Sequence, residues 1–412
     1  MTQAVTTSVS PVAPTEQIRC ISLVIPAYNE EDGIGRVIER TRAVRPELAK
    51  LGLGLEVLVV DDGSHDRTRQ VVATYADVKL ICHPQNRGYG AAIKTGFRNA
   101  TGDYLGFIDA DGTYPPESLP DLGRAALEQQ ADVVIGSRMS GAFSEMPLTR
   151  RIGNTAYAML LSLIGNTNVR DTTSGLRLIR KEILERLYPL PDGLDFTPAM
   201  STRAIHESLK IVEVPIAYSE RVGNSKLSIV RDGLRFTNSI VWTALAYNPV
   251  RILGILGLSA LALSGAIALA IMFMRLSGIT SLDPVGVFGI FTALILAVCG
   301  VSIFSLGATF NYLVALFHKQ PMRQGLFGKP IFNPSLDHHF GWMGLVSAAL
   351  GLLLGLISFI LGMNGWEITR LWFYMLVSAS LILMGLQLGI SWMIMRVLEE
   401  LAGRSTNAQR DL

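Results

Sequence analysis

Four long runs without a charged residue occupy the second half of this chain, and they constrain its fold more than any other feature. The runs are residues 252–274, 285–317, 341–363 and 371–395. A helix needs about 20 apolar residues to cross the hydrocarbon layer of a bilayer, and each run is long enough. Helices buried in a soluble core do not repeat at this length without charge, so we predict four transmembrane helices.

The flanking charges predict how these helices are oriented. The loop between the second and third runs carries Lys319, Arg323 and Lys329, and the C-terminal segment carries Arg396 and two further arginines, Arg404 and Arg410. Positive residues accumulate on the cytoplasmic side of membrane proteins. An even number of crossings then leaves both termini in the cytoplasm, which predicts an integral protein of the cytoplasmic membrane.

The composition divides the chain at about Asn248. Hydrophobic residues make up 49% of the chain and charged residues 17%, which is too apolar for a soluble enzyme, but the first half has an ordinary mixture. The predicted parts are a disordered tail (1–17), a soluble α/β domain (18–227), an interfacial amphipathic helix region (228–248), a four-helix transmembrane domain (249–398) and a cytoplasmic tail (399–412). The interfacial helix is predicted because Arg231, Arg235 and Trp242 lie among apolar residues just before the first run; a plain linker helix is the alternative.

Charge and cysteine content exclude several classes of protein. The formal net charge of +2 and the absence of a lysine and arginine block argue against nucleic acid as a partner. The three cysteines are far apart and contain no C-x-x-C pair, so neither a disulfide framework nor a zinc site is indicated.

Apolar runs alternate with helical patterns in the first half. The predicted strands are 21–25, 55–60, 78–82, 104–108 and 133–136, and the predicted helices include 34–44, 68–75, 91–99 and 119–129. This alternation indicates an α/β domain with a mostly parallel sheet. Ligands of such sheets bind beyond the carboxyl ends of the strands.

Polar clusters follow four of the predicted strands, at 26–30, 61–64, 86–90 and 109–111. The sequence has no G-x-G-x-x-G after the first strand and no P-loop pattern, so phosphate must be held in another way. Asp109 and Asp111 are separated by one residue at a strand end, and two such carboxylates can share a divalent ion. Mg²⁺ and Mn²⁺ prefer oxygen ligands and keep positions open for phosphate.

Six ordered motifs carry a family resemblance over roughly residues 21–227: PAYNE, VVDDGS, NRGYGAAIKTGF, DADGTYPPE, GSR and DTTSGLR. Together they resemble family 2 glycosyltransferases of the dolichyl-phosphate mannose synthase type. The resemblance implies a GT-A fold, a nucleotide sugar donor, Mg²⁺ or Mn²⁺ as cofactor, and direct transfer with inversion to a polyprenyl phosphate.

The resemblance also implies roles for particular residues. The implied nucleotide contacts are Pro26, Tyr28, Glu30, Val60, Asp62, Asp109 and Ala110. The implied metal ligands are Asp109, Asp111 and Thr113. Thr113 stands where the mannose synthases have a glutamine, so the donor is left open between GDP-mannose and UDP-glucose types.

Arginines fall where the family contacts phosphate. Arg138 and Arg221 are expected to act with Asp111 in catalysis by neutralising the leaving diphosphate, because a guanidinium fork can bond two phosphate oxygens. The expected acceptor-phosphate residues are Arg151, Thr155 and Lys226, with Arg150 as a competitor for the role of Arg151.

Two alternatives remain open at this point. The first is a hydroxyl-directed membrane glycosyltransferase with Asp195 as general base; a phosphate acceptor, with a second pKa of about 6, needs no base. The second is a lipid transporter or scaffold with a degenerate sugar-binding domain. A homo-oligomer is compatible with either reading.

Overall fold

The computed structural model describes residues 19–139, 146–165, 169–219, 229–277, 284–318, 336–366 and 368–410. The chain divides into two units, Met1–Ile240 and Val241–Leu412. Residues 1–17, predicted as a disordered tail, lie outside the described residues, as does the loop containing Lys319, Arg323 and Lys329. The predicted domain boundaries and the membrane orientation remain predictions.

The first unit contains a seven-stranded sheet with the strand order β3-β2-β1-β4-β6-β5-β7. The strands are β1 (Arg19–Ala27), β2 (Leu53–Asp61), β3 (Val78–Cys82), β4 (Tyr104–Ile108), β5 (Val133–Ser137), β6 (Leu176–Arg180) and β7 (Ile211–Pro215). Strands β4 and β5 are buried along their whole length, as expected for apolar strands in a sheet covered on both faces. The prediction of a mostly parallel sheet is confirmed.

One strand runs against the others. Strand β1 pairs in parallel with β2 and β4, whereas β6 is antiparallel to both β4 and β5. The start of β6 therefore lies at the edge of the sheet where β4 and β5 end. The sequence analysis did not predict β6 or β7, although it predicted the other five strands.

Helices connect and cover these strands. They are α1 (Ile34–Ala43), α2 (Arg45–Lys50), α3 (Thr68–Ala73), α4 (Tyr89–Asn99), α5 (Leu119–Glu128), α6 (Leu148–Gly165), α7 (Leu184–Leu187), α8 (Phe196–His206) and α9 (Ile229–Tyr247). The four predicted helices correspond to α1, α3, α4 and α5. Helix α4 packs so closely on β1 that a Cβ at Gly96 would lie 2.4 Å from a methyl of Val24, so only glycine fits there.

The second unit is helical. It contains α10 (Pro249–Leu276), α11 (Pro284–His318), α12 (Leu336–Met363) and α13 (Ile368–Arg410). Among the described residues, four segments are long and apolar enough to cross a membrane: Pro249–Met274, Pro284–Val314, Leu336–Met363 and Leu371–Leu401. The prediction of four candidate membrane helices is confirmed on length and composition. Helix α9 (Ile229–Tyr247) lies within the region 228–248, and the placement of this region in the headgroup layer stays a prediction.

Candidate active site

A cavity of about 930 Å³ opens at the carboxyl ends of the parallel strands in the first unit. It is lined by residues that follow β1, β2, β4 and β5 and by residues that precede β6. Helices α6 and α9 supply further wall residues. The lining residues used below are Tyr28, Glu30, Asp62, Arg87, Tyr89, Asp109, Asp111, Thr113, Tyr114, Arg138, Arg150, Asn154, Tyr157, Gly175, Gly193, Arg235 and Phe236.

The loops after β1 and β2 are fastened to each other. Asn29 adopts a left-handed backbone with φ of 51°, and its N–H donates to Ser64 Oγ at 2.9 Å. In return the His65 N–H donates to Asn29 Oδ1 at 2.8 Å. The Glu30 N–H donates to Thr68 Oγ1 at 2.9 Å. These bonds hold the loop that presents Tyr28 and Glu30 to the cavity.

Asp62 organises the loop that follows β3. Its carboxylate accepts the backbone N–H groups of Arg87 and Gly88 at 2.9 and 2.8 Å. The buried His83 bridges Asp62 Oδ1, at 2.6 Å, and Thr95 Oγ1, at 2.9 Å. Gly88 has φ of 107°, which side chains rarely adopt, so this loop needs glycine as well as the carboxylate. Asp62 was predicted to contact nucleotide; its carboxylate is the anchor of a neighbouring cavity loop.

Hydroxyl groups orient both carboxylates of the Asp109–Asp111 pair. The Tyr89 hydroxyl donates to Asp109 Oδ1 at 2.7 Å. Burial and the Asp109 carboxylate raise the pKa of Tyr89 well above its usual value, so the phenol keeps its proton. The Thr113 hydroxyl and N–H donate to Asp111 Oδ1 at 2.7 and 3.1 Å. Thr113, predicted as a metal ligand, therefore orients the neighbouring carboxylate.

The segment before β6 contacts the Asp109 side chain closely. A Cβ at Gly175 would lie 2.2 Å from Asp109 Oδ2. The Gly175 N–H donates to the buried Tyr114 hydroxyl at 2.8 Å, and the Tyr114 ring packs edge-on against Tyr218 with centroids 5.5 Å apart. Two separate contacts, from Tyr89 and Gly175, thus fix the Asp109 side chain.

The oxygen donors of Asp109 and Asp111 fit a hard divalent cation. Among the residues that the structure describes, no group of three or more His, Cys, Asp or Glu side chains is placed to hold a metal. Mg²⁺ is commonly bound by one or two carboxylates, with waters and substrate phosphates completing the shell. A carboxylate that accepts one hydroxyl retains further acceptor capacity. The pair therefore fits an ion that is shared with a substrate and does not fit a closed structural site.

Arg138 is committed to a buried carboxylate. Its Nε and Nη2 donate to the two oxygens of Asp171 at 2.8 and 2.7 Å, and its guanidinium lies 5.6 and 5.4 Å from the ring centroids of Tyr114 and Tyr218. Burial would raise the pKa of Asp171, but the charge and hydrogen bonds of Arg138 outweigh it and lower that pKa. Arg138 lines the cavity with its positive charge already balanced by Asp171, and its role in catalysis stays a prediction.

The arginine of the DTTSGLR motif, Arg177, is entirely enclosed. Arg177 is 0% exposed and donates to Thr172 O, Ser174 O and Ser201 Oγ at 2.7, 3.1 and 2.9 Å. Burial lowers the pKa of Arg177 to about 10. Its bonds to two carbonyls fix the loop between Asp171 and β6, which carries Gly175. Arg177 thus has a structural role, because it fixes the loop that carries Gly175 to the site.

The cavity face of α6 differs from the prediction. Arg150 and Asn154 line the cavity, together with Tyr157, and among the described lining residues neither Arg151 nor Thr155 is found. Arg151 is exposed, and the Thr155 hydroxyl donates to its carbonyl at 2.8 Å. Successive residues of a helix point about 100° apart, so a shift of one residue moves the predicted pair off this face.

Helix α9 forms part of the wall. The Tyr157 hydroxyl of α6 donates to Gly233 O at 2.9 Å, and the Tyr157 ring packs on Phe236 with centroids 6.0 Å apart. Arg235 lines the cavity and forms an ion pair with Asp195, Nε to Oδ1 at 3.2 Å. Asp195, the candidate general base, therefore has a cation as its neighbour.

The remaining predicted residues divide into three groups. Pro26, Tyr28, Glu30 and Ala110 line the cavity. The Val60 side chain is 0% exposed inside β2 and is not among the described lining residues, because its side chain belongs to the core of the sheet. Arg221 and Lys226 lie outside the described residues, so their roles stay predictions.

Sequence reasoning missed several residues at this site. Tyr89 and Gly175 lie inside motifs that were recognised, yet neither was assigned a role. The spacing of α6 offered a signal for Arg150 and Asn154, since residues four apart share a helix face. Arg235 was assigned to the membrane surface because only its local amphipathic pattern was visible.

Comparison with protein families supports the assignment made from the motifs. Residues 22–188 match the family described as glycosyl transferase family 2. Residues 249–409, which include the candidate membrane helices, match a domain of unknown function, DUF8752.

Several curated proteins are similar in sequence. The low-salt glycan biosynthesis hexosyltransferase Agl6 of Haloferax volcanii is 32% identical over 261 residues, which are 62% of this chain and 60% of that protein. The undecaprenyl-phosphate 4-deoxy-4-formamido-L-arabinose transferase of Photorhabdus laumondii is 30% identical over 321 residues, 76% of this chain and 94% of that protein. The transferase of the same name from Pectobacterium atrosepticum is 31% identical, and the match covers 90% of that protein.

Solved structures with a similar shape include glucosyl-3-phosphoglycerate synthase from Mycobacterium tuberculosis in complex with Mn²⁺, uridine diphosphate and glucosyl-3-phosphoglycerate. The TM-score is 0.45 at 22% identity, over 56% of this chain and 80% of that chain. The family match and the near full-length relatives agree with the ordered motifs. The chain belongs to glycosyl transferase family 2, and it is a glycosyltransferase with a GT-A-like domain.

Proposed function

We propose that this enzyme transfers a hexose from a nucleotide sugar to a polyprenyl phosphate, with inversion, at the cytoplasmic face of the membrane. One observation carries the proposal: a single cavity is lined by the oriented Asp109–Asp111 pair and also by Arg150 and Arg235 of α6 and α9. Carboxylates suit a metal-bound diphosphate, and guanidinium groups suit a second anion. The relatives named as undecaprenyl-phosphate transferases support the identity of that anion.

The donor side is assigned to the loops at the ends of β1, β2 and β4. Tyr28, Glu30 and Asp62 lie beside Asp109 in the cavity lining, so a nucleoside placed against the first three has its diphosphate near the carboxylate pair. Mg²⁺ or Mn²⁺ bound there supplies positive charge to the leaving diphosphate. Tyr89 and Thr113 hold the two carboxylates in fixed orientations, which reduces the reorganisation that binding requires.

The acceptor side needs positioning more than proton transfer. A phosphate monoester has a second pKa of about 6 and is largely ionised at neutral pH, so its oxygen attacks without a general base. Asp195, the candidate base of the alternative hypothesis, is paired with Arg235, Oδ1 to Nε at 3.2 Å. Inversion requires the acceptor oxygen to approach the anomeric carbon opposite the leaving diphosphate.

The enzyme is proposed as an integral membrane protein. The four long apolar helices support this placement, and the arginines and lysines of the sequence support a cytoplasmic catalytic unit. The sugar is left as a hexose of the GDP-mannose or UDP-glucose type, since Thr113 distinguishes this site from the mannose synthases.

A transfer assay tests the proposal. The purified full-length protein is incubated with undecaprenyl phosphate, Mn²⁺ and a panel of labelled UDP and GDP sugars, and the products are extracted into organic solvent. We expect label in the organic phase for one donor, and none with Asp111→Asn at an unchanged thermal midpoint. Label that stays in water for every donor, with folded wild-type protein, rejects the lipid acceptor; full activity of Asp111→Asn rejects the metal assignment.

One further variant separates the two transferase hypotheses. If Asp195 were the base for a hydroxyl acceptor, Asp195→Asn would lower kcat by about 10²-fold or more. We expect kcat to fall by less than about tenfold, because the phosphate acceptor arrives already ionised.

A further inference from the structure

We propose that Arg235 of α9 binds the phosphate group of the lipid acceptor and that Asp195 and Gly193 hold it in place for this purpose. The inference rests on the proposed function, because it takes an anionic lipid as the acceptor. It gives α9 a role in substrate recognition in addition to its predicted place at the membrane surface.

The position of Arg235 is set by a loop that leaves room for it. A Cβ at Gly193 would lie 2.5 Å from Arg235 Nη2 and 2.7 Å from Cζ, so the guanidinium lies directly on the backbone of Gly193. Asp195 Oδ1 forms an ion pair with Arg235 Nε at 3.2 Å, and the Asp195 side chain is 13% exposed. A residue that was only a solvated surface cation would not need a glycine beneath it and a mostly buried carboxylate beside it.

Exposure of the guanidinium distinguishes Arg235 from the buried arginine of the cavity lining. Among the residues that the structure describes, the arginines of the lining are Arg87, Arg138, Arg150 and Arg235. Arg138 is balanced by the buried Asp171, and Arg87 belongs to the loop anchored by Asp62 on the donor side. Helices α6 and α9 contribute the other two, Arg150 and Arg235. Arg235 is paired with Asp195 but its side chain stays 53% exposed, whereas that of Arg138 is 9% exposed.

Helices α6 and α9 contact each other close to the positions of Arg150 and Arg235. Tyr157 lies on the same face of α6 as Arg150, and it contacts Gly233 and Phe236 on either side of Arg235. The Arg235 side chain is 53% exposed, so an arriving phosphate can reach its fork while Asp195 keeps Nε. A guanidinium can donate two parallel hydrogen bonds to one phosphate.

A binding measurement tests this inference without sugar transfer. The full-length protein is titrated with undecaprenyl phosphate and, separately, with undecaprenol, which has the same tail and no charge. We expect Arg235→Met to weaken undecaprenyl phosphate binding by about tenfold, as for the loss of a charge-assisted hydrogen bond, and to leave undecaprenol binding within about twofold. Arg235→Lys retains the charge without the guanidinium fork. Its affinity for undecaprenyl phosphate is expected to lie between those of wild type and Arg235→Met.

Arg124→Met is the matched control, because Arg124 is 50% exposed, pairs with Asp121 at 3.0 Å and lies on α5 away from the cavity lining. Unchanged phosphate binding by Arg235→Met, an equal loss for both lipids, or a wild-type protein that does not prefer the phosphate would each overturn the inference. The proposed function fails separately, if wild-type protein binds undecaprenyl phosphate selectively and transfers no sugar to it.

Discussion

Gly175 and Asp109 are in contact so close that no side chain fits between them: a Cβ at Gly175 would lie 2.2 Å from Asp109 Oδ2 and 2.6 Å from Cγ. Gly175 immediately precedes β6 and Asp109 immediately follows β4, the neighbouring antiparallel strand, and the two residues belong to different sequence motifs. The orientation of a predicted metal ligand therefore depends on a glycine that lies 66 positions later in the chain (175 − 109).

The first prediction concerns this contact. Gly175→Ala is expected to displace the Asp109 carboxylate and to lower kcat by about 10²-fold, because misplacement of a reacting group by about 1 Å costs that much. Transfer kinetics and the thermal midpoint of the purified protein check it. Gly54→Ala is the control, since a Cβ there meets Cys20 Sγ at an ordinary 3.5 Å. Equal effects of the two substitutions would contradict the prediction.

The second prediction concerns the hydroxyl that holds Asp109 from the other side. Tyr89→Phe removes one hydrogen bond of 2.7 Å and keeps the ring, so the fold is expected to persist. Loss of a bond that orients a metal ligand typically weakens metal affinity by about 10–100-fold. A titration of transfer activity against Mn²⁺ should therefore shift to higher metal concentration, with the maximal rate largely recovered at saturation.

Tyr75→Phe provides the matched control for Tyr89→Phe. The Tyr75 hydroxyl also donates to a carboxylate, Glu39 at 3.3 Å, but the pair is exposed and does not line the cavity. Its Mn²⁺ dependence should equal that of wild type. A Tyr89→Phe enzyme with an unshifted Mn²⁺ dependence would contradict the prediction that this hydroxyl is needed to orient Asp109.

The third prediction concerns the buried pair of Arg138 and Asp171. Asp171→Asn leaves a mostly buried guanidinium without its counter-charge and should destabilise the catalytic unit by about 3–5 kcal/mol. Replacing both residues, as Arg138→Met with Asp171→Leu, should recover part of this loss because no unpaired charge remains. Thermal unfolding of wild type, Arg138→Met, Asp171→Leu and the double variant measures the coupling, and additive losses in the double variant would argue against it.

The same pair should make stability depend on pH. The folded pKa of Asp171 is lowered, so its contribution is complete above the unfolded pKa of about 3.9 and is lost as pH falls through the folded value. Between these two pKa values the unfolded chain binds the extra proton, which favours unfolding. The thermal midpoint of wild type should therefore fall more steeply below about pH 4 than that of Asp171→Asn.

The fourth prediction concerns the packing of α12 on α13 in the second unit. A Cβ at Gly385 would lie 2.6 Å from Gly344 O and from Ala348 N, so Gly385→Ala must push the two helices apart. The expected cost is about 1–3 kcal/mol, measured as a lower thermal midpoint in detergent. A Cβ at Gly389, one turn along the same helix, meets nothing within 4 Å. Gly389→Ala should be neutral or stabilising, because alanine favours helices over glycine by about 1 kcal/mol.

Much of the fold was predictable because its signals are local. Five strands and four helices follow from runs of apolar residues, and the charge-free runs predicted the four candidate membrane helices. Strand β6 was missed for a physical reason: it mixes Arg177 and Arg180 with leucines. The buried Arg177 is accommodated by hydrogen bonds to Thr172 O, Ser174 O and Ser201 Oγ, which the strand's own sequence does not reveal.

The candidate site was predicted best where a residue follows a parallel strand. Tyr28, Asp62, Asp109 and Arg138 all lie at such positions and all line the cavity. Residues that an antiparallel strand or a later helix brings to the site were not predicted, since no local sequence pattern marks them. Gly175 precedes β6, and Arg235 reaches the site from a helix almost 100 residues after Arg138 (235 − 138). The choice of Arg151 over Arg150 failed because a family spacing fixes a helix face only to within one residue.

The participation of α9 in the cavity has a practical consequence for preparing a soluble form of the enzyme. A chain cut at residue 227, the predicted end of the α/β domain, would lack Gly233, Arg235 and Phe236 and would leave Tyr157 without its partners. The first unit extends to Ile240, before the first apolar span begins at Pro249. Truncation between these two positions retains the whole wall of the cavity while removing every candidate membrane helix that the described residues contain.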